Sequence, residues 1–398
     1  MDEWQELEAK YFMRTVKRLP VTIVSGKGCR VRDSAGKEYL DFVGGWAVNS
    51  LGHCHPVLVK ALKSQAGKLI QTSNQFYTVP QVELAELLVK NSCLERVFFC
   101  NSGAEANEGA VKLARRYGKL YLNGAYEIIT TYSSFHGRTL AMVAATGQQK
   151  FQDPYVPLPD GFVNVPYDDV ESIKTATTAK TCAVMLEPIQ GEGGVNMPAS
   201  DYLKKVRTWC SEKGILLILD EVQTGLGRIG TLFGYQQYGI EPDIMTLAKG
   251  LGGGVPVGAL MAKERVSVFA PGEHGSTYGG NPLVCAAAVA VVKYVIEKNI
   301  PGRVARLGEY FISELIKLKQ EFPFITSARG RGLLLALEFD SDIGEAVTNA
   351  CLERQLLVNR VKPNALRFIP PLIIKRKEID EGLAILREVL KQWQTERK

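Results

Sequence analysis

The sequence predicts an α/β fold, in which a large, mostly parallel sheet is covered by helices and a smaller α/β domain is built from both chain ends. Short apolar runs alternate with helical patterns from residue 97 to residue 261, which is typical of a buried parallel sheet. The alternation stops near residue 285, where a long helical pattern begins. A chain of 398 residues also suits one large domain with a smaller partner.

Short apolar runs predict the strands of the large sheet, at residues 97–100, 127–131, 182–186, 215–219, 244–247 and 257–261. Helical patterns lie between most of these runs, as at residues 104–117 and 200–213. Short strands that alternate with helices predict parallel neighbours joined by crossover connections.

The smaller domain is predicted from the remaining patterns. Residues 285–318 predict a long helix with a break near Pro301. Residues 330–339 predict a strand, and a helix, a strand near Leu366 and a final helix follow. A strand-turn-strand pattern at residues 28–42 leads us to expect that the first 45 residues pack with this domain. The predicted division is an N-terminal segment at 1–45, a large domain at 46–284 and a small domain at 285–398.

The composition excludes several classes of function. The net charge is +6 with both signs interspersed and no basic block, so we expect no nucleic-acid partner. No apolar run approaches about 18 residues and no signal peptide is visible, so we expect no membrane partner. The 8 cysteines form no CxxC pair, which favours reduced thiols in the cytoplasm. His53 and His55 have no third ligand nearby, so we expect no metal.

A lysine and an acid end two of the predicted strands. Lys249 follows the run at 244–247 and opens a glycine-rich turn, and Asp220 follows the run at 215–219. Because the carboxyl ends of parallel strands meet in one crevice, we expect both side chains there. A lysine that can form a Schiff base and an acid that can keep a pyridine nitrogen protonated are what pyridoxal phosphate chemistry requires. Each residue by itself is more typical of a surface lysine or of an acid that caps a helix.

A Ser-Gly turn after the first predicted strand opens a helix. Ser102 can cap the helix, Gly103 lets the backbone approach a ligand closely, and the N–H groups of Gly103 and Ala104 could bind a phosphate. An ordinary helix start has the same pattern. The glycines at 250 and 252–254 match neither pattern of nucleotide-binding loop, so we reject a nucleotide site there.

Phe135 and Arg138 follow the predicted strand at 127–131. An aromatic ring at this position could stack on a flat ring, and an arginine could bind a carboxylate through two hydrogen bonds. A packed phenylalanine and a surface arginine would give the same pattern.

These motifs resemble those of the class III pyridoxal-phosphate aminotransferases, the ornithine and ω-amino acid aminotransferase family, over nearly the whole chain. The strongest are Phe-Cys-Asn-Ser-Gly-Ala-Glu-Ala-Asn-Glu at 99–108, Phe-His-Gly-Arg-Thr at 135–139, Glu-Pro-Ile-Gln-Gly-Glu-Gly-Gly-Val at 187–195, Asp-Glu-Val-Gln-Thr-Gly-Leu-Gly-Arg at 220–228 and His-Gly-Ser-Thr-Tyr-Gly-Gly-Asn-Pro at 274–282. Thr-Ser-Asn at 72–74 and the Phe-His-Gly-Arg form make the resemblance strongest to the members that act on acetylornithine. The implied fold is that of the fold type I pyridoxal-phosphate transferases.

The resemblance implies roles for the motif residues. Lys249 would bind the cofactor covalently and move a proton, and Asp220 would pair with the pyridine nitrogen. The other implied cofactor contacts are Phe135 and Val222 on the two ring faces, Gln223 on the ring hydroxyl, Gly103 and Ala104 on the phosphate, and Thr277 on the phosphate from the other subunit of a homodimer. Ser276 resembles a substrate contact across the same interface.

Two arginines and one acid are implied to bind the substrates. Arg138 would hold the carboxylate that lies far from the reacting carbon of either substrate. Arg367 would hold the α-carboxylate of glutamate, and would be an unpaired charge when the amine substrate is bound. Glu192 resembles the family's removable partner for Arg367, which would neutralise it in one half-reaction and withdraw in the other.

The implied activity is transfer of the δ-amino group of N2-acetylornithine to 2-oxoglutarate, a ping-pong reaction of arginine biosynthesis. Other donors stay open within the family: ornithine, succinyl-diaminopimelate, an acylated lysine precursor or 4-aminobutyrate. An aminomutase on the same fold, which would not need 2-oxoglutarate, is a further alternative. A binding protein without activity is a third, against which the presence of both Lys249 and Asp220 argues.

Overall fold

The computed structural model describes residues 2–396, which form three sheets flanked by helices. The strands are β1 Ile23–Lys27, β2 Arg30–Asp33, β3 Glu38–Asp41, β4 Arg96–Cys100, β5 Glu127–Thr131, β6 Phe162–Val165, β7 Thr181–Leu186, β8 Leu216–Asp220, β9 Ile244–Leu247, β10 Gly258–Ala262, β11 Ile325–Arg331, β12 Leu334–Phe339, β13 Leu356–Leu357, β14 Asn359–Lys362 and β15 Ala365–Phe368.

Helices pack against both faces of the large sheet, and α12 packs against β11 of a smaller one. They are α1 Glu3–Tyr11, α2 Gly44–Ala47, α3 Pro56–Ala66, α4 Val79–Lys90, α5 Gly103–Tyr121, α6 Leu140–Ala145, α7 Gln149–Gln152, α8 Val170–Ala176, α9 Tyr202–Lys213, α10 Tyr235–Tyr238, α11 Pro282–Glu297, α12 Ile300–Glu321, α13 Gly344–Glu353 and α14 Arg376–Glu396. Among the residues that the structure covers, no helix combines the length and the apolar character needed to cross a membrane.

The large sheet has the strand order β4-β10-β9-β8-β7-β5-β6. Strands β9, β8, β7, β5 and β6 run parallel, and β10 is antiparallel to both of its neighbours. Strands β7 and β8 are buried at every position, which explains why they appear in the sequence as continuous apolar runs. The prediction of a mostly parallel, helix-covered sheet is therefore confirmed.

Two smaller sheets lie outside the large one. In the first, β1, β2 and β3 are antiparallel and β13 adds to β3 in parallel, so residues near both chain ends share one sheet. The second has the order β11-β12-β15-β14 and is antiparallel. The strand predicted at 330–339 is the second half of a hairpin, β11 and β12, because a tight turn divides the run.

The long helical pattern after residue 282 is two helices, α11 and α12. The chain breaks at Asn299, which has a φ of 45° and whose side chain accepts a hydrogen bond from the N–H of Gly302. Pro301 fits into the first turn of α12 because its missing N–H would have had no helical partner there. The break at Asn299 lies two residues before the predicted position, Pro301. The sequence analysis did not predict that Asn299 caps α12.

Arg228 joins the loop after β8 to the sheet formed by β11, β12, β15 and β14. Its side chain is 3% exposed, and its Nη1 donates hydrogen bonds to the carbonyls of Leu333 and Pro370. Burial, with the positive charge of Arg367 nearby, lowers the pKa of Arg228 to about 9. These bonds hold the loop after β8 against the turn between β11 and β12 and against the segment after β15.

Candidate active site

A cavity of about 410 Å³ opens at the carboxyl ends of β8 and β9. Asp220 is the last residue of β8, and it pairs with Thr246 of the parallel strand β9. Lys249 lies three residues after Thr246, just beyond the end of β9. The parallel pairing therefore brings the acid and the lysine into one cavity, as the sequence predicts. Further lining residues come from the start of α5, the loop after β5 and the loop after β8.

The carboxylate of Asp220 is 3% exposed and is held by three groups. Its Oδ2 accepts a 2.7 Å hydrogen bond from Asn107 Nδ2 and lies 2.8 Å from His136 Nδ1. Its Oδ1 accepts a 3.0 Å bond from the N–H of Val222. Thr246 Oγ1 donates to Asn107 Oδ1, which orients the amide so that its nitrogen faces the acid. These donors fix the direction of the carboxylate and satisfy both of its oxygens.

The ring of His136 is buried, and its Nε2 has no hydrogen-bond partner among residues 2–396. If the ring is neutral with its hydrogen on Nδ1, Nδ1 donates a hydrogen bond to Asp220. Only the Nε2 lone pair, an acceptor, is then without a hydrogen-bond partner. A protonated ring would leave an N–H donor unmet in the interior, which costs more. The geometry therefore favours the neutral tautomer and leaves the charge on Asp220.

Lys249 begins a short 3-10 turn, Lys249–Leu251, and has a φ of 36°. A positive φ is strained for a residue with a side chain, by about 1–3 kcal/mol, and such strain concentrates at functional sites. Burial lowers the pKa of Lys249; the negative charge of Glu192 opposes this effect and the positive charge of Arg367 adds to it. A lowered pKa increases the share of neutral amine at physiological pH, which a nucleophile or base requires.

The N-terminus of α5 forms one wall of the cavity. Ser102 caps the helix, because its Oγ accepts a 3.2 Å hydrogen bond from the N–H of Glu105. The first N–H groups of a helix have no carbonyl partner within it, and they form an anion-binding site. A Cβ at Gly103 would lie 2.9 Å from the methyl groups of Val222, so only glycine lets the two walls approach this closely. This end of the cavity fits a phosphate group.

A buried acid ties two loops of the cavity together. Glu187 accepts hydrogen bonds from the N–H of Phe135, at 2.9 Å, and from the N–H of Gly191, at 3.2 Å. Burial raises the pKa of Glu187 to about 7. Phe135 and Val222 line the cavity beside it, so a planar ring would lie between an aromatic and an aliphatic side chain.

Arg138 lies at the mouth of the cavity. Its guanidinium lies over the ring of Phe151, 3.8 Å from the ring centroid, and 5.4 Å from the centroid of Phe135. The side chain is exposed, so its N–H donors can reach a ligand. Stacking on Phe151 orients these donors without using them.

Arg367 is a buried arginine with a charged partner. It is 1% exposed, and its Nη1 donates 2.8 Å hydrogen bonds to Glu192 Oε1 and to Gln223 Oε1. Its Nε and Nη2 both donate to Asn359 Oδ1. Burial by itself would raise the pKa of Glu192, but the positive charges of Arg367 and Lys249 outweigh it and lower the pKa. The pair is therefore ionic.

Ser276 and Thr277 lie in an exposed stretch beyond the cavity wall. The hydroxyl of Ser276 accepts a hydrogen bond from Asn101 Nδ2, and Asn101 lines the cavity. The carbonyl of Thr277 accepts a bond from Gln71, while its side chain is exposed and does not line the cavity of its own chain.

The structure brings most of the predicted site residues around one cavity. The residues that line it are Gly103, Ala104, Phe135, Arg138, Asp220, Val222, Gln223 and Lys249. Glu192 and Arg367 join the site through Gln223, which bonds to both of them. The predicted contact of Gln223 with a ring hydroxyl stays a prediction.

Sequence reasoning missed four site residues. Asn107 and His136 lie inside motifs that the sequence analysis recognised. A buried Asp220 needs hydrogen-bond donors, and this requirement could have identified both residues as its partners. Glu187 opens a recognised motif, and it is an acid directly after a buried strand. Nothing in the sequence marks Asn359, whose contact depends on the pairing of β14 with β15.

Comparison with known proteins agrees with this geometry. Residues 11–390 match the family model of class III aminotransferases. Acetylornithine aminotransferases from Caldanaerobacter subterraneus subsp. tengcongensis and Methanocaldococcus jannaschii are 51% and 50% identical, over 97% and 98% of this chain and 98% of each relative. The ornithine aminotransferase of Toxoplasma gondii ME49 has a TM-score of 0.96 at 35% identity, covering 99% of this chain and 95% of that one. An N-acetylornithine aminotransferase from Stenotrophomonas maltophilia K279a has a TM-score of 0.85 at 38% identity, covering 98% and 99%.

The chain therefore belongs to the class III aminotransferases, a family of enzymes that use pyridoxal phosphate. An ionised acid, a lysine with a lowered pKa and a helix N-terminus around one cavity are what that cofactor's ring nitrogen, carbonyl carbon and phosphate require. The resemblance in the motifs, the fold class and the family are thus confirmed.

The Asn107 network gives a first prediction. Asn107→Ala removes a buried amide that bonds to Asp220, to the carbonyl of His136 and to Thr246, so each of these buried polar groups loses one hydrogen bond. We expect a loss of about 1–3 kcal/mol in the free energy of unfolding of the cofactor-free protein. Denaturant titration would measure this loss, with Asn91→Ala, whose amide bonds a carbonyl near the end of α4, as the control. Equal losses in both variants would show that the network contributes no special stability.

Proposed function

We propose that the protein transfers the δ-amino group of N2-acetylornithine to 2-oxoglutarate, giving N-acetylglutamate 5-semialdehyde and glutamate, with pyridoxal phosphate as its cofactor. The observation that carries the proposal is the ion pair of buried Arg367 with half-buried Glu192, whose Nη1 and Oε1 lie 2.8 Å apart and whose charges both act on Lys249. An arginine with a removable acidic partner suits an enzyme whose two substrates differ in one carboxylate. The named relatives support acetylornithine as the donor.

The residues of the site have separate tasks in this reaction. When bound, pyridoxal phosphate supplies an electron sink that stabilises negative charge on the reacting carbon of the substrate. Asp220 would hold a proton on the ring nitrogen, because its ionised carboxylate is fixed by three donors. Lys249, as a neutral amine, would accept and return the proton of the reacting carbon. Phe135 and Val222 would hold the ring between them, and Gly103 and Ala104 would bind the phosphate.

The two arginines would bind carboxylates at opposite ends of the substrates. Arg138 would hold the α-carboxylate of acetylornithine or the γ-carboxylate of glutamate. Arg367 would hold the α-carboxylate of glutamate after Glu192 withdraws. When acetylornithine is bound, Glu192 would stay on Arg367, so that no unpaired charge is buried next to the reacting carbon.

A homodimer with shared active sites is part of the proposal. Thr277 is exposed and is followed by Tyr278, which is 64% exposed. Gln71 and Asn74 donate hydrogen bonds to the carbonyls of Thr277 and Ser276, and the same segment continues to Phe76 and Tyr77, which are 62% and 100% exposed. An apolar patch of this kind is typical of a protein–protein contact. The same proposal includes a cytoplasmic location, which the free cysteines support, most of them buried.

Ornithine is the second candidate donor. The ornithine aminotransferase of Toxoplasma gondii has a TM-score of 0.96 with this chain, which favours a site of closely similar shape. Ornithine carries a free α-amino group where acetylornithine carries a neutral acetamide, so the two donors differ by one positive charge near Arg138.

A donor screen tests the proposed substrate. With 2-oxoglutarate as acceptor, we expect acetylornithine to give the highest kcat/KM, measured as glutamate formed. Ornithine, succinyl-diaminopimelate, an N-acylated lysine precursor and 4-aminobutyrate serve as competitors in the same assay. A higher kcat/KM for any of these would replace acetylornithine, and turnover without 2-oxoglutarate would indicate an aminomutase.

The cofactor attachment gives a further prediction. Borohydride treatment of the holoenzyme should leave pyridoxal phosphate attached to Lys249, mapped by mass spectrometry of the digested protein. Lys249→Ala should still bind the cofactor, since the contacts of Asp220 and α5 remain, but should lose at least ~10³-fold in rate. A label on another lysine would end this assignment.

The two half-reactions test the carboxylate sites. Arg138→Ala should slow both halves, by about 2–4 kcal/mol of lost carboxylate binding in each. Arg367→Ala should slow the glutamate half and largely spare the acetylornithine half, whereas Glu192→Ala should do the reverse. Single-turnover absorbance changes with one substrate at a time would measure each half. Equal losses in both halves for Arg367→Ala would refute its selective role.

Subunit exchange tests the shared site. Lys249→Ala and Thr277→Ala protein, mixed and allowed to exchange, form heterodimers in which one site has an intact Lys249 and the partner subunit's intact Thr277. Random exchange should then give about a quarter of wild-type activity, above either parent. If Thr277 instead serves its own chain, no site in the heterodimer is intact and the mixture gains nothing.

A further inference from the structure

Asn359 is the first residue of β14 and pairs with Arg367 across the antiparallel ladder with β15. Its Oδ1 accepts hydrogen bonds from Arg367 Nε at 3.0 Å and from Nη2 at 2.7 Å. A guanidinium has donors only, so the amide must present its oxygen here. One neutral oxygen therefore holds one edge of the guanidinium.

The other edge of the same guanidinium carries the acid. Arg367 Nη1 donates to Glu192 Oε1 and to Gln223 Oε1, each at 2.8 Å. Glu192 belongs to the irregular segment after β7, whereas Asn359 belongs to a paired strand. The charged partner is thus on a loop, and the neutral partner is fixed in a sheet.

We propose that Asn359 is a positioning residue that holds Arg367 in place without neutralising its charge, and so preserves the selectivity of Arg367 for the α-carboxylate of glutamate. The proposal rests on the proposed function. When Glu192 withdraws, the buried arginine keeps two hydrogen bonds on its Nε edge and presents Nη1 in an unchanged direction. An acid at position 359 would pair with Arg367 permanently, since the strand cannot withdraw.

Two substitutions separate orientation from charge. Asn359→Asp keeps the shape and makes the tether anionic, so it should neutralise Arg367 in both half-reactions. We expect the glutamate half to slow by about 10²-fold and the acetylornithine half to change by less than about 3-fold. Asn359→Ala leaves the charge and removes the hydrogen bonds that orient Arg367, so it should slow the glutamate half by about 10-fold, mainly through a weaker apparent affinity for glutamate.

The experiment uses the holoenzyme and two measurements. Single-turnover absorbance changes report each half-reaction, and calorimetry reports the binding of glutarate, a five-carbon dicarboxylate that has no amine to react. Glutarate affinity should fall in the order wild type, Asn359→Ala, Asn359→Asp. Asn349→Asp is the matched control, because it makes the same exchange at an exposed position of α13, the helix that packs against β14.

The outcomes distinguish this proposal from the proposed function. Equal losses in both halves for Asn359→Asp, or glutarate binding as strong as in wild type, would overturn the role of Asn359 alone. Losses of the same size in Asn349→Asp would assign the effect to added negative charge near β14 and would also overturn it. A wild-type enzyme with no glutamate half-reaction would overturn the proposed function and this inference together.

Discussion

The carboxylate of Asp220 is 3% exposed, and the arrangement around it follows from what it costs to keep a charge in the interior. Two donors meet one oxygen and a backbone N–H meets the other, so the acid is solvated by the protein in place of water. Each donor needs its own support: Thr246 orients Asn107, and the neutral tautomer of His136 avoids a second buried charge. The residues near the carboxyl ends of β8 and β9 are therefore linked in one hydrogen-bond network. Replacing any one of them by an apolar residue would leave a hydrogen-bonding group of its neighbour with one partner fewer.

The charges of the cavity also balance one another at longer range. Arg367 favours a neutral Lys249, while Glu192 favours a charged one. Withdrawal of Glu192 from Arg367 would therefore change the proton affinity of the lysine as well as the binding of a carboxylate. Glu187, whose pKa burial raises to about 7, adds a group that can gain or lose a proton near neutral pH without leaving its place between two loops.

The large sheet could be predicted because its central strands β7, β8, β9 and β10 are buried at every position, which leaves continuous apolar runs in the sequence. The meeting of Asp220 and Lys249 could be predicted because parallel strands end at one edge. The short β6, half-buried for most of its length, left no comparable run and was missed. Asn359 could not be found, since its contact with Arg367 depends on the register of two strands that carry no motif of their own. Whether Thr277 serves another subunit is likewise not a property of one chain.

The parallel pairing of β3 with β13 affects the order in which the parts of the chain can fold during synthesis. Strand β3 ends at Asp41, and its partner begins at Leu356, near the end of the chain. At the usual pace of synthesis the earliest residues wait roughly 15–60 s for that partner to leave the ribosome. During this interval all the strands of the large sheet have been synthesised and can pair with one another. The first sheet of the chain to be synthesised is therefore among the last to gain all of its strands.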